Sequence, residues 1–255
     1  MSIRSSLDFQ YDGIKCSDMG LISISPSSGL YKESFLPTRE IREIQVKDNP
    51  FPFFQGFDYK PLDIPVTCYF EETYNENKIR EVSRWLMKDF YKQLIFDQQP
   101  DKIYYAMVSQ DSEEIHNGLK QGYVTLTFRC DSPYSFSSIY ETEMYINNGS
   151  GSLQFENNGD LILKPKFIIE KTNDNGDISF LNVTNGGQEM KFTEITKGEV
   201  LTVDCSHNDI ETDVPGTYRY SNHNKYFMEF GIGNNELILT GDFKYKFFYE
   251  YTFLG

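Results

Sequence analysis

Tyr123-Val-Thr-Leu-Thr-Phe128 alternates bulky apolar and small polar side chains with a period of two. Val124, Leu126 and Phe128 fall on one face of an extended chain, and Thr125 and Thr127 on the other. A run of β formers in that pattern is a half-buried strand, so the fold class follows as mainly β. Working outward, Ile103 to Val108 reads as its partner, and the polar stretch Ser109 to Gly122 between them as a loop. Gln93 to Phe96 is a short apolar strand ahead of the turn Asp97-Gln-Gln-Pro-Asp101. Leu62 to Phe70, Met19 to Ile24 and Leu7 to Tyr11 are further strands, the last running into an Asp12-Gly13 turn.

One helix interrupts the strands. Asn75 suits an N-cap and Glu76 the positive end of the helix dipole. Ile79, Val82, Leu86 and Phe90 follow at steps of three and four, the stripe of an amphipathic helix. Trp85, the single tryptophan, lies at the stripe's margin and is expected to pack against a sheet. Residues 39 to 46 read as a strand between Pro37 and Pro50, and 47 to 61 as a loop, because Pro50, Pro52 and Pro61 lack backbone donors. That stretch holds Phe51, Phe53, Phe54, Phe57 and Tyr59. A loop cannot bury five rings in itself, so they tuck under a core or meet another chain. Phe51, Phe53, Phe54 and Phe57 are therefore the candidate interface residues.

A boundary falls near Asp131-Ser-Pro-Tyr-Ser-Phe-Ser-Ser138, dividing the chain into domains 1–138 and 139–255 with net charges of −5 and −9. The second has no helical pattern of useful length. Short strands are punctuated by Asn148-Gly149, Asn158-Gly159, Asn175-Gly176 and Gly186-Gly187, a spacing that predicts an antiparallel β-sandwich. The aromatic run Lys244 to Phe253 is expected to close a sheet.

The full chain has 255 residues, a net charge of −14 and 16% aromatic residues. So many aromatics argue against disorder. The acidic balance argues against nucleic-acid binding, which needs a dense Lys/Arg face. No apolar run reaches the length of a membrane span, and Met1-Ser-Ile-Arg-Ser-Ser carries no signal-peptide pattern. Cys16, Cys68, Cys130 and Cys205 and His116, His207 and His223 lack the paired spacing of a zinc site, Cys205 and His207 being the one close pair. Asn173-Asp-Asn-Gly-Asp177 fails the calcium-loop frame, because Ile178 stands where that frame has glycine. Gly231-Ile-Gly233 lacks the third glycine and the helix of a phosphate cradle. Neighbouring carboxylates such as Glu71-Glu72 point apart on a strand. No catalytic residue, metal or cofactor is expected. Tyr218, Tyr220 and Tyr226 lie in a polar segment and are candidate contacts for a glycan, whose C–H faces stack on such rings.

The order of these features resembles the distal tail protein (Dit) family of long, non-contractile-tailed bacteriophages. The resemblance rests on Phe9-Gln-Tyr-Asp-Gly13, Asp18-Met-Gly-Leu-Ile22, Pro61 to Phe70, Arg84-Trp-Leu86, Leu94-Ile-Phe-Asp97, Pro100 to Ala106, and Gly122 to Arg129 before Asp131-Ser-Pro-Tyr134. In the second half it rests on Asn157-Asn-Gly159 with Lys164-Pro165, Lys197 to Asp204, and Glu229 to Asn234. It implies an N-terminal β-sandwich with one α-helix, followed by a C-terminal galectin-like, carbohydrate-binding-module-like β-sandwich. It implies a non-enzymatic part of the virion tail, assembled in the host bacterial cytoplasm. A homo-hexameric ring would join the tail tube protein to the tail-tip (Tal-like) protein, with receptor-binding proteins or host cell-wall saccharide met outward. The alternative is a carbohydrate-binding protein that recognises host surface glycans.

Overall fold

A computed structural model describes residues 3–24, 36–71, 75–116 and 122–254. The chain divides into two compact units, Met1–Phe136 with Leu254–Gly255, and Ser137–Phe253.

The first unit contains β1 (Phe9–Tyr11), β2 (Ile14–Lys15), β3 (Leu21–Ile24), β4 (Arg39–Ile44), β5 (Phe53–Tyr59) and β6 (Asp63–Phe70). Helix α1 (Glu76–Leu86), β7 (Lys92–Phe96), β8 (Ile103–His116), β9 (Gly122–Cys130) and β10 (Ser135–Phe136) follow. Seven strands pair antiparallel in the order β2-β1-β7-β8-β9-β6-β3. In a flat sheet β1 and β9 would lie about 14 Å apart, three strand spacings. Instead the Phe128 ring on β9 meets Tyr11 and Phe9 on β1 at 5.1 and 5.6 Å between centroids. At the far edge, the Ser23 N–H on β3 donates to the Leu7 carbonyl just before β1. The sheet therefore curls until its ends meet, and its inner face encloses a core as two layers would.

Helix α1 plugs that core. Asn75 Oδ1 accepts from the Lys78 N–H at 3.0 Å, the expected cap. Val82, Trp85 and Leu86 are buried. The Trp85 ring stacks on Phe9 at 5.9 Å, and its Nε1–H donates to the Tyr11 carbonyl at 2.9 Å. The helix ends one turn earlier than the stripe predicts: Met87 is extended and Phe90 is exposed. Since β7 begins at Lys92 and must pair with β1, the chain has to turn there. Lys88 and Lys92 hold that turn through Asp12, at 2.6 and 3.5 Å.

Two stretches read as loops are strands. Residues 53–59 form β5, paired antiparallel with β4, and Pro50, Pro52 and Pro61 all fall outside the paired run. Residues 109–116 continue β8 and pair with Gly122–Thr127 of β9 beyond a register shift between Ser109 and Glu113. A polar strand needs only its ladder partners, so absence of apolar alternation did not mean absence of strand.

The second unit is built from β11 (Tyr140–Glu141), β12 (Tyr145–Asn147), β13 (Ser150–Asn157), β14 (Lys166–Lys171) and β15 (Gly176–Asn182). Then come β16 (Gln188–Ile195), β17 (Val200–Asp204), β18 (Asp209–Thr212), β19 (Gly233–Thr240) and β20 (Phe243–Tyr249). One sheet runs β11-β20-β14-β17-β18, with β12 also on β20, and the other β13-β19-β15-β16. Phe167 on β14 meets Phe180 on β15 at 5.1 Å, and Phe155 on β13 meets Phe247 on β20 at 5.3 Å, so the sheets face each other as a sandwich. Asn148-Gly149 joins β12 to β13, and Gly186-Gly187 joins β15 to β16. The Asn173–Asp177 stretch spans the turn after β14 and the first residues of β15. Its Asn175 Oδ1 accepts from the Lys197 N–H, and its Asp177 pairs with Lys191 at 3.1 Å.

Candidate functional site

Strands β4 and β5 form a two-stranded arm, and its register decides which rings share a face. Ile41 pairs with Phe57 and Glu43 with Phe54, while Gln55 is the extra residue of a bulge. On a regular strand, Phe54 and Phe57, three apart, would point to opposite faces. The bulge shifts the parity by one. Gly56 accepts the φ of +138° there, which L side chains rarely adopt. Phe54, Phe57 and Tyr59 are thereby gathered on one face with Arg39 and Ile41. The ring contacts agree: Phe54 meets Phe57 edge-on at 5.0 Å, Phe57 meets Tyr59 at 6.4 Å, and the Arg39 guanidinium lies 4.2 Å above Phe57.

The opposite face is paired at its base. Arg42 meets Asp58 at 3.2 Å and Lys60 meets Glu40 at 2.8 Å. Such exposed pairs contribute little stability. Towards the tip, Ile44 and Phe53 pair on this same face. The tip is therefore apolar on both sides, with Phe51 76%, Phe54 60% and Phe53 54% exposed. Tyr59 touches Tyr134 of the same unit at 6.0 Å, which anchors the base. Of the four phenylalanines singled out in the sequence, three stand in solvent, and Phe57 is half-buried under Arg39. Sequence reading did not join to them Ile41 and Ile44, which pair with Phe57 and Phe53, or Val46 beyond the paired run, all three exposed. The mixed spacing of these three residues gave no signal for it.

The three candidate tyrosines do not share one environment. Tyr226 packs against the core of the second unit with its hydroxyl buried, and burial beside Glu229 raises its pKa. The Tyr220 hydroxyl donates to Asp209 Oδ1 at 2.5 Å and accepts from the Ile210 N–H. Tyr218 stands free at 81% exposure. Between Tyr218 and Tyr220, Arg219 turns inward to a fully buried Glu199. Its Nε donates to Oε1 at 2.7 Å and its Nη2 to Oε2 at 2.6 Å. Thr212 Oγ1 and the Thr196 N–H complete the carboxylate's partners. Burial pushes the Glu199 pKa up, but Arg219, Thr212 and Thr196 outweigh it and hold it below the ordinary value. Nothing in the spacing of Glu199 and Arg219 announces this pair.

All four cysteines are buried, and burial pushes the thiols of Cys68, Cys130 and Cys205 up to about 12. Among the described residues, no three His, Cys, Asp or Glu side chains gather as a metal site.

Both units match family models: residues 4–132 the phage tail protein N-terminal domain, and residues 134–249 the phage tail C-terminal domain. The SPbeta prophage-derived protein YomH of Bacillus subtilis (strain 168) is 29% identical over 253 residues, spanning 99% of this chain and all of that one. Among solved structures, the Dit protein (gp 19.1) of phage SPP1 is similar with a TM-score of 0.72 at 14% identity, covering 96% of this chain and 98% of that one. That protein is described as a paradigm of the hub adsorption apparatus in phages that infect Gram-positive hosts. A chain of the phage p2 baseplate follows with a TM-score of 0.48 at 8% identity, covering 94% and 97%.

Proposed function

We propose, from the premise that this chain belongs to the phage tail protein family in both its units, that it is a structural, non-enzymatic hub of the tail tip. In this reading six copies close a ring that joins the tail tube to the tail-tip and receptor-binding proteins during adsorption. The fold likeness to SPP1 Dit makes the hub the natural comparison. The observation that carries the reading is the arm. A hairpin that holds Phe51, Phe53 and Phe54 in solvent, on a bulge that aligns Phe54 with Phe57 and Tyr59, is built to be covered by another chain. Aromatic residues concentrate at the cores of such interfaces. An arm on one side of a subunit that docks on a different surface of the next makes a heterologous contact, which builds a ring where its rotation closes.

Light scattering behind size exclusion, with negative-stain images of the main peak, tests this on the full chain. A six-membered ring is expected. A chain that stays monomeric, alone and when mixed with its tail-tube and tail-tip proteins, overturns it. A sugar-binding role for Ser137–Phe253 is a second reading, favoured by Tyr218, exposed beside the anchored Arg219. It predicts glycan-array binding that disappears in Tyr218→Ala.

A further inference from the structure

A cavity of about 250 Å³ opens between helix α1 and the sheet of the first unit. Ile79, Val82 and Leu86 line it from the helix and Met87 from just beyond its end, with Phe70, Val108 and Val124 from β6, β8 and β9. Ser83 supplies the one side-chain hydroxyl of its lining. Met87 stands at its rim, 81% exposed. An apolar cavity of about 150 Å³ accommodates a benzene ring, so this one has room for a phenylalanine.

The arm presents exposed apolar side chains. Ile41, Ile44, Val46, Phe51, Phe53, Phe54 and Tyr59 are each 46–76% exposed. With large aromatics contributing about 150–250 Å² when fully covered, these seven offer on the order of 700–800 Å² of apolar surface. One side of a stable interface buries about 800 Å². The arm thus carries nearly a whole interface, and its tip phenylalanines do not enter their own chain's cavity. Because Phe53 and Phe54 point to opposite faces, the tip can offer one ring to a recess and keep the other outside it.

We infer that the helix–sheet cavity of one copy receives one arm-tip phenylalanine, Phe53, of a second copy, with Phe54 left to pack outside it. This deepens the hub reading and rests on it, by naming the two surfaces that meet in the ring. Each copy then gives one arm and receives one, and the contact joins two different patches. An aromatic anchor seated in a desolvated pocket is the usual energetic centre of an interface.

The test uses the full chain. Ser83 is exposed at the cavity mouth, so Ser83→Trp fills the recess from its own helix. It is expected to weaken assembly by about tenfold or more, as losing an interface anchor does. Arg80→Leu, an exposed position of the same helix outside the recess's lining, is expected to assemble as the parent does. Trp85 fluorescence in Arg80→Leu, and circular dichroism in both variants, verify that the fold is kept. Independently, Phe53→Cys/Ser83→Cys treated with a short bismaleimide is expected to give a ladder of linked copies, which neither single variant gives. The four native thiols are buried and stay silent. Rings that form equally well in Ser83→Trp, with no ladder from the double variant, overturn the inference and leave the hub reading standing. Absence of rings in the parent, under every condition and with its tail partners, overturns the hub reading itself.

Discussion

Replacing Arg219 by alanine should be the most damaging single change on the surface of the second unit. The Glu199 side chain is fully buried and that of Arg219 only 12% exposed, so solvent screens their interaction little. Without Arg219 the carboxylate keeps two partners, Thr212 Oγ1 and the Thr196 N–H, and no counter-charge. Breaking a buried pair in this way costs about 3–5 kcal/mol. For a unit of this size, that lowers the midpoint by roughly 10–20 °C. The pH dependence sharpens the test. In the parent, Glu199 titrates below its ordinary 4.5, so the stability it contributes is complete above that value and is lost as pH falls through the lower, folded value. In Arg219→Ala, burial acts without the guanidinium and the folded pKa rises above the unfolded one. That variant loses stability as pH climbs through the raised value. Its deficit against the parent is therefore largest near pH 7 and shrinks towards pH 4. Scanning calorimetry at the two pH values measures it, and Trp85 fluorescence, confined to the first unit, is the internal control. Glu199→Met/Arg219→Met removes both charges and should recover most of the loss. A cost below about 1 kcal/mol at pH 7, or a deficit equal at both pH values, refutes the reasoning.

Three other outcomes are expected. His223 is buried between Phe192 and Phe227 with Nε2 unpartnered, and burial lowers its pKa from 6.5. Below pH 6.5 the unfolded chain takes up a proton that the folded one resists, so stability falls with pH. His223→Phe should flatten the stability profile of the second unit between pH 7 and 5, as read by urea titrations. In Gly241→Ala, the new methyl group overlaps the Asp177 carbonyl oxygen at a φ of +108°, which should cost about 2–3 kcal/mol in the same assay. Trp85→Phe leaves the Tyr11 carbonyl without its donor and opens a small cavity. Circular dichroism should show about 2–4 kcal/mol lost from the first unit alone.

Where a segment obeys one period and buries one face, its structure was legible. The alternation in Tyr123–Phe128 and the cap at Asn75 predicted their elements because local preference and tertiary packing ask for the same thing there. The failures have a common cause. Phe53, Phe54, Phe57 and Tyr59 show no period of two, because the bulge at Gln55 inserts a residue that only the paired β4 reveals. Ser109–His116 shows no apolar alternation in sequence, so only its pairing with β9 marks it as a strand. Phe90 extended the helical stripe in sequence, but the demand that Lys92 start β7 overrode it. Glu199 and Arg219 meet only because β17 and the segment after β18 are brought together by the sandwich.

The candidate site lies among those failures, and for a physical reason. A residue that serves its own fold is consistent with the local pattern around it, whereas one kept for a partner breaks that pattern and is not repaid within the chain. Exposed Phe51 and Phe53, a glycine held at positive φ to turn Phe54 beside Phe57, and a cavity rimmed by exposed Met87 each weaken the isolated subunit. They cost least if they cancel, with a phenylalanine ring of one copy filling the void of the next. A chain in which both defects were independent would gain stability from Phe53→Ser and Phe54→Ser, which remove exposed apolar surface, and would lose no assembly. If the defects are complementary, the same substitutions leave the subunit's own unfolding midpoint unchanged or slightly raised and abolish the ring. The two measurements together, a melting curve on dissociated subunits and light scattering on the assembled fraction, separate those cases.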